Sequence, residues 1–147
     1  MSCRVTFEKH DGYRTTRCET CECFLTVGLA RGYGGAPVLV EEARDAIAAF
    51  QKRFEDENGY CCAVRVLRSE ILYQGYREDC LDVRVINYPR YATEPAAVAR
   101  FVRLLALELM GVLDQERITM VAPGGTEMFE KNGADESRVH DLGVDDE

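Results

Sequence analysis

The order in which hydrophobic spacing changes along this chain limits its fold more than any other feature. A run with period two is followed by a helical run, two more runs of period two, a second helical run and a last strand-like run. In residues 22–29, Cys23, Leu25, Val27 and Leu29 alternate with Phe24, Thr26 and Gly28, as in a strand with one buried face. In 39–57, Val40, Ala43, Ile47, Phe50 and Phe54 recur at steps of three and four and form one apolar stripe. Asn58-Gly59 ends that helix, because glycine accepts the left-handed conformation that follows a last helical turn. Residues 61–73 read as a second strand, long enough for a bulge near Arg68-Ser69, and 74–79 as a turn. Leu81, Val83 and Val85 then alternate with Asp82 and Arg84.

The second helix is expected over about 94–113, capped by Thr93, with Pro95 in its first turn. Its stripe of Val98, Phe101, Val102, Leu105, Leu109 and Val112 is widened by Leu104 and Leu107, which suggests deep packing or a shared outer face. Likewise Pro37 suits the first turn of helix one. Residues 117–122 form the last main strand, and Pro123-Gly124-Gly125 turns into a short strand at 126–130.

Right-handed crossovers place both helices on one face of a four-stranded antiparallel sheet and leave the other face open. The expected architecture is therefore an α+β domain of ferredoxin-like βαββαβ order over residues 18–130. A polar leader, 1–17, carries a strand-like run at 4–8 that can add an edge strand. An acidic tail, 131–147, has the composition of a disordered segment. The core should contain Leu25, Val27, Ile47, Phe50, Phe54, Val64, Val66, Val83, Val85, Val98, Phe101, Leu105 and Leu109.

Two short stretches carry a resemblance. Phe24-Leu25-Thr26-Val27-Gly28-Leu29 before a glycine-rich turn resembles the opening strand of small bacterial and phage-type ferredoxin-like α/β domains of unknown function. Asp114-Gln115-Glu116-Arg117-Ile118 resembles their Gln-Glu-containing exit from the second helix. The resemblance implies the βαββαβ order and no particular activity.

Composition excludes some classes of function. The net charge of −8 argues against a general nucleic-acid binder, which needs a basic surface to neutralise phosphate. The longest wholly apolar run, 104–107, is far short of the ~20 residues that span a bilayer, so no membrane partner is expected. The first residues lack the basic-then-apolar organisation of a signal peptide, and a cytoplasmic location is the expectation. Seven cysteines in such a chain read as reduced thiols rather than as a disulfide framework.

The sharpest cluster is Cys18-Glu19-Thr20-Cys21-Glu22-Cys23. Its CxxC could give two thiolates to zinc, with Cys3, His10 or Cys23 completing the set. No second CxxC lies at zinc-ribbon spacing, so no metal and no cofactor is expected. A thioredoxin-like role fails because a strand, not a helix, follows the motif. Cys61-Cys62 reads as two packing thiols, and Cys80 is the better candidate for a reactive one. His10 and His140 both lie in the end segments, which disfavours histidine-centred catalysis. Arg31-Gly32-Tyr33-Gly34-Gly35 has the composition of an anion-holding turn but neither the GxGxxG nor the P-loop pattern.

The candidate binding residues are Tyr76, Arg77, Arg84, Tyr88, Arg90 and Tyr91, on the central hairpin and its exit. Tyrosine and arginine bury area and still hydrogen-bond, which suits them to interfaces. The leading expectation is a non-enzymatic interaction or oligomerising module that uses the open sheet face for self-association or a protein partner. The competing class is a small enzyme or ligand-binding protein of the dimeric α+β barrel kind.

Overall fold

The computed structural model describes residues 4–32 and 35–132. It contains β1 (Val5–Lys9), β2 (Arg14–Cys18), β3 (Glu22–Gly28), α1 (Val40–Asn58), β4 (Arg65–Tyr73), β5 (Tyr76–Ile86), a 3-10 turn (Pro89–Tyr91), α2 (Pro95–Val112), β6 (Arg117–Ala122) and β7 (Gly125–Glu130). The main sheet has five strands in the order β4-β5-β3-β6-β7, with every adjacent pair antiparallel. This is a βαββαβ unit extended by one strand, so the four-stranded expectation is corrected. β7 takes its place through Arg117 Nε, which donates to Glu130 at 2.6 Å, and through Arg103 of α2, which clamps Glu127 at 2.7 and 2.6 Å. Neither pairing is visible in a pattern of apolar residues.

The alternation of β3 and β5 survives as a division between two faces. Cys23 pairs with Val85, Leu25 with Val83 and Val27 with Leu81, and all six are buried. With Ile118 and Met120 of β6 they meet Phe101, Leu105 and Leu109 of α2. Phe50 and Phe54 of α1 close on Phe101 with ring centroids 5.4 and 5.1 Å apart. Each fully buried side chain of this size stabilises the fold by roughly 1.5–3 kcal/mol. Val64 and Val66 are only half-buried, because β4 reaches past the helices.

Several local expectations are corrected. β4 pairs with β5 in unbroken register from Arg65 to Tyr73, with no bulge, and the residues before Arg65 are not strand. Helix α2 is capped at Glu94, and the Thr93 N–H instead donates to Asn87 Oδ1 at 3.0 Å. Pro37 bridges to Ala30 ahead of α1, whose first turn is closed by Glu42 Oε1 accepting the Leu39 N–H at 3.3 Å. Gly59 ends α1 at φ 77°, with its N–H on Glu55 O at 2.9 Å. The leader is a separate two-stranded hairpin, β1-β2, rather than an edge strand of the main sheet. The acidic tail beyond residue 132 lies outside the described residues.

No helix among the described residues is long and apolar enough to cross a membrane.

Candidate ligand cleft on the open sheet face

Among the described residues, the face of the sheet away from the helices carries no second layer. Phe24, Thr26 and Gly28 of β3 lie on it, with Arg84, Asp82 and Cys80 opposite them on β5 and Val121 and Thr119 on β6. At the end where β3 runs out, three segments converge: Gly28, the start of β5 and the junction of α2 with β6. Between them is a cleft of about 260 Å³ lined by Gly28, Tyr76, Glu78, Gln115, Glu116 and Met128, among others.

The junction is fixed from the backbone upward. Leu113 N–H reaches Leu109 O at 2.9 Å and Gln115 N–H reaches Met110 O at 2.9 Å, with Asp114 between them in the left-handed region at φ 50°. This turn drives Gln115 inward, where its residue is 4% exposed. Its amide is fully used. Oε1 accepts the Gly28 N–H at 2.9 Å, while Nε2 donates to Ala30 O at 2.9 Å and to Leu113 O at 3.2 Å. Gln115 thus pins the end of β3 to the end of α2.

Gly28 has a steric reason to be glycine. A Cβ there would stand 2.9 Å from Glu78 Oε1 and 3.1 Å from Gln115 Oε1. Its absence lets a carboxylate and an amide oxygen approach the strand backbone together.

The next residue is the chemically unusual one. Glu116 Oε2 is shielded from solvent and has no hydrogen-bond partner among the described residues. A buried oxygen of this kind costs free energy unless something completes it. Glu78 lines the same cleft, with the Tyr76 hydroxyl 3.5 Å from its Oε2. Arg117, on the cleft wall, is engaged by Glu130. Two carboxylates facing one small space favour a cationic or hydrogen-donating occupant.

The six residues singled out from the sequence fall in three places. Tyr76 belongs to the cleft. Arg77 points to the opposite face, paired with Glu70 at 3.1 Å. Arg84 lies mid-sheet over the Phe24 ring at 4.5 Å, with Glu22 at 3.1 Å and Asp82 at 3.4 Å. Tyr88 and Tyr91 stack at 6.1 Å with Arg90 beside Tyr91, past the far end of β5, whose length from Tyr76 to Ile86 is about 33 Å at ~3.3 Å per strand residue. Glu78, Gln115 and Glu116 were not among the candidates. In the sequence the Gln-Glu pair carries only a resemblance, and the orphaned oxygen is a product of the fold.

The thiols sit elsewhere. Cys80 is buried, and burial pushes its thiol up to about 11, which leaves little thiolate at neutral pH. Cys23 and Cys62 are pushed up to about 12, chiefly by burial. Among the described residues, no three His, Cys, Asp or Glu side chains are grouped to hold a metal. Of the glycine-rich turn, Tyr33 and Gly34 lie outside the described residues, while the Gly32 N–H donates to Asp114 O at 2.8 Å on the cleft rim.

No family model and no curated protein matches the chain. Solved structures are similar in fold. A phage SAM lyase in complex with S-methyl-5'-thioadenosine is 15% identical, with a TM-score of 0.52 over 79% of this chain and 93% of the other. A phage SAM lyase in the apo state is 18% identical, with a TM-score of 0.54 over 78% and 92%. CutA1 from Pyrococcus horikoshii OT3 is 14% identical over 82% and 91%, with a TM-score of 0.31.

Proposed function

We propose that the cleft between Gly28, Tyr76, Glu78 and Glu116 binds a sulfonium nucleoside of the SAM kind and that the chain breaks its carbon–sulfur bond. The observation that carries this reading is the shielded, partnerless Glu116 Oε2 beside Glu78. A sulfonium group presents positive charge on a soft, apolar centre, so carboxylates in a partly dry cleft attract it without needing a full set of donors. Tyr76 offers an aromatic face at the cleft mouth for a nucleobase or for the cation itself. The fold shared with the phage SAM lyases supports the choice of ligand class. In the proposed cleavage the α-carboxylate of SAM itself attacks the γ-carbon of its aminobutyryl chain as that carbon–sulfur bond breaks; the bonding pair stays on sulfur, and the products are the neutral thioether S-methyl-5'-thioadenosine and the five-membered lactone of homoserine, which keeps the ammonium charge.

The test is calorimetric titration with SAM and with S-methyl-5'-thioadenosine, plus chromatography of a SAM incubation. Wild type should bind and release the thioether, and Glu116→Gln should lose turnover. Failure of wild type to bind either compound would sink the reading.

A second reading rests on a different observation. Leu67, Ile71, Tyr73, Tyr76, Ile86 and Met128 are each more than 40% exposed on the open face. Apolar side chains grouped on a sheet face suit self-association or a protein partner. Under this reading Arg84 and Tyr88 contribute to that contact, and Arg84→Ala with Tyr88→Ala weakens it without unfolding the domain. Light scattering of wild type and the double variant decides it, and unchanged association would place the contact elsewhere.

A further inference from the structure

The β1-β2 hairpin stands apart from the core. Its ten strand residues are exposed or at most half-buried, and Val5, Phe7 and Tyr13 are 39%, 66% and 64% exposed. Its tether is at the root, where the Cys18 thiol donates to Asn87 O at 3.4 Å and Asn87 Nδ2 donates to Glu19 O at 2.8 Å. Against the rest of the protein, β2 touches the 3-10 turn at Pro89–Tyr91. A lone two-stranded hairpin is marginal in water, so one that keeps apolar side chains in the open is stabilised by docking. One face of the ribbon aligns Val5, Phe7 and Thr16, with Arg14 over the Phe7 ring at 5.3 Å.

The arm also has the wrong charge for the chain that carries it. Arg4, Lys9, Arg14 and Arg17 stand against Glu8 and Asp11, in a protein of net charge −8. Beside its root opens a groove of about 850 Å³ lined by Tyr60, Cys61, Cys62 and Tyr91, with Glu55 and Lys52 on its rim. Glu55 and its neighbour Asp56 at the end of α1 are exposed and make no ion pair among the described residues, while Glu57 lies on the other side of the helix with Arg53 and Arg100. Arm and groove meet at the same turn, since Pro89–Tyr91 touches β2 and supplies Tyr91 to the groove. Two neighbouring, complementary patches on one surface are what a two-fold contact uses, each arm covering its partner's groove.

We propose that the hairpin is an exchange arm, and that the arm of a second copy docks into the groove at the end of α1. Phe7 and Val5 enter the floor of the groove, and Lys9 and Arg14, on the same face of the ribbon, meet Glu55 on its rim. This contact lies at the end of the sheet away from the Glu116 cleft and does not depend on that site's ligand.

The test is charge reversal and complementation in the full chain, followed by sedimentation. The wild type should be a dimer. Lys9→Glu with Arg14→Glu on one sample, and Glu55→Lys with Asp56→Lys on another, should each weaken it by about tenfold or more. Mixing the two variants should restore a heterodimer with one contact of reversed polarity. Phe7→Ser supplies an uncharged variant that should also dissociate, with the circular dichroism of the domain unchanged. A monomeric wild type overturns the proposal, as does association untouched by both reversals. Loss of association in Leu67→Asp alone, with the arm variants still dimeric, assigns the contact to the open sheet face and overturns it too.

Discussion

Replacing Gln115 with methionine isolates the role of the α2–β6 junction, because the two side chains are similar in length and only the hydrogen bonds vanish. Three partners are abandoned: the Gly28 N–H and the Ala30 and Leu113 carbonyls, at 2.9, 2.9 and 3.2 Å. A buried backbone group left without a partner costs about 1–3 kcal/mol. Gly28 borders the cleft, so water can reach it and reduce its share, and the Leu113 bond is the longest of the three. The expected net loss is about 2–4 kcal/mol, which lowers the melting temperature by roughly 5–15 °C in a chain of this size. Urea unfolding with an unchanged slope measures it. Gln115→Glu should behave differently, since it keeps an acceptor for Gly28 while turning an oxygen toward two carbonyls. A loss below about 0.5 kcal/mol for Gln115→Met would show that solvent replaces the amide freely, against the magnitudes given above.

Gly28→Ala should cost about 1 kcal/mol, since crowding against Gln115 is partly offset by the strand preference for alanine over glycine. The same change displaces the Glu78 carboxylate, so nucleoside affinity measured by titration should fall more than stability does. Stability should decline in alkali. Cys23 and Cys62 hold their protons to about 12 and Cys80 to about 11, whereas unfolded thiols release theirs from about 9.0. A raised folded value means the contribution is complete below 9.0 and is lost as pH rises toward 11–12. Each thiol adds about 1.4 kcal/mol per pH unit to the slope at most. Denaturation of Cys80→Ala between pH 9 and 11 should show a shallower slope than wild type, and an equal slope would contradict the assignment.

How much of this could be read beforehand depends on what kind of signal each feature gives. The β3 and β5 alternation is a period-two pattern in one stretch of chain, so Leu25, Val27, Val83 and Val85 were placed in the core from sequence. The helices followed from stripes such as Ile47, Phe50 and Phe54, and their ends fell within a residue or so. β7 left a weaker trace, because residues 126–130 alternate poorly and are held by Arg103 and Arg117 on other elements. Of the leader's hairpin only the run at 4–8 was legible, since the side chains of β2 face solvent on both sides and leave no periodicity. The cleft was least legible. Gly28, Glu78 and Glu116 are distant in sequence and ordinary in type. Only the antiparallel register of β3 with β5 and the turn at Asp114 bring them together. The Tyr and Arg residues of the hairpin were chosen by type alone, and type does not report that one long strand spreads them along the whole sheet.

The most direct check on the cleft is amide chemical-shift mapping with S-methyl-5'-thioadenosine as the probe. The Gly28, Glu78 and Glu116 amides should move together along one saturation curve, while Tyr88 and Tyr91, at the other end of the sheet, stay fixed. Shifts confined to Tyr88 and Tyr91, or no shifts at saturating nucleoside, would contradict the assignment of the Glu116 cleft as the ligand site.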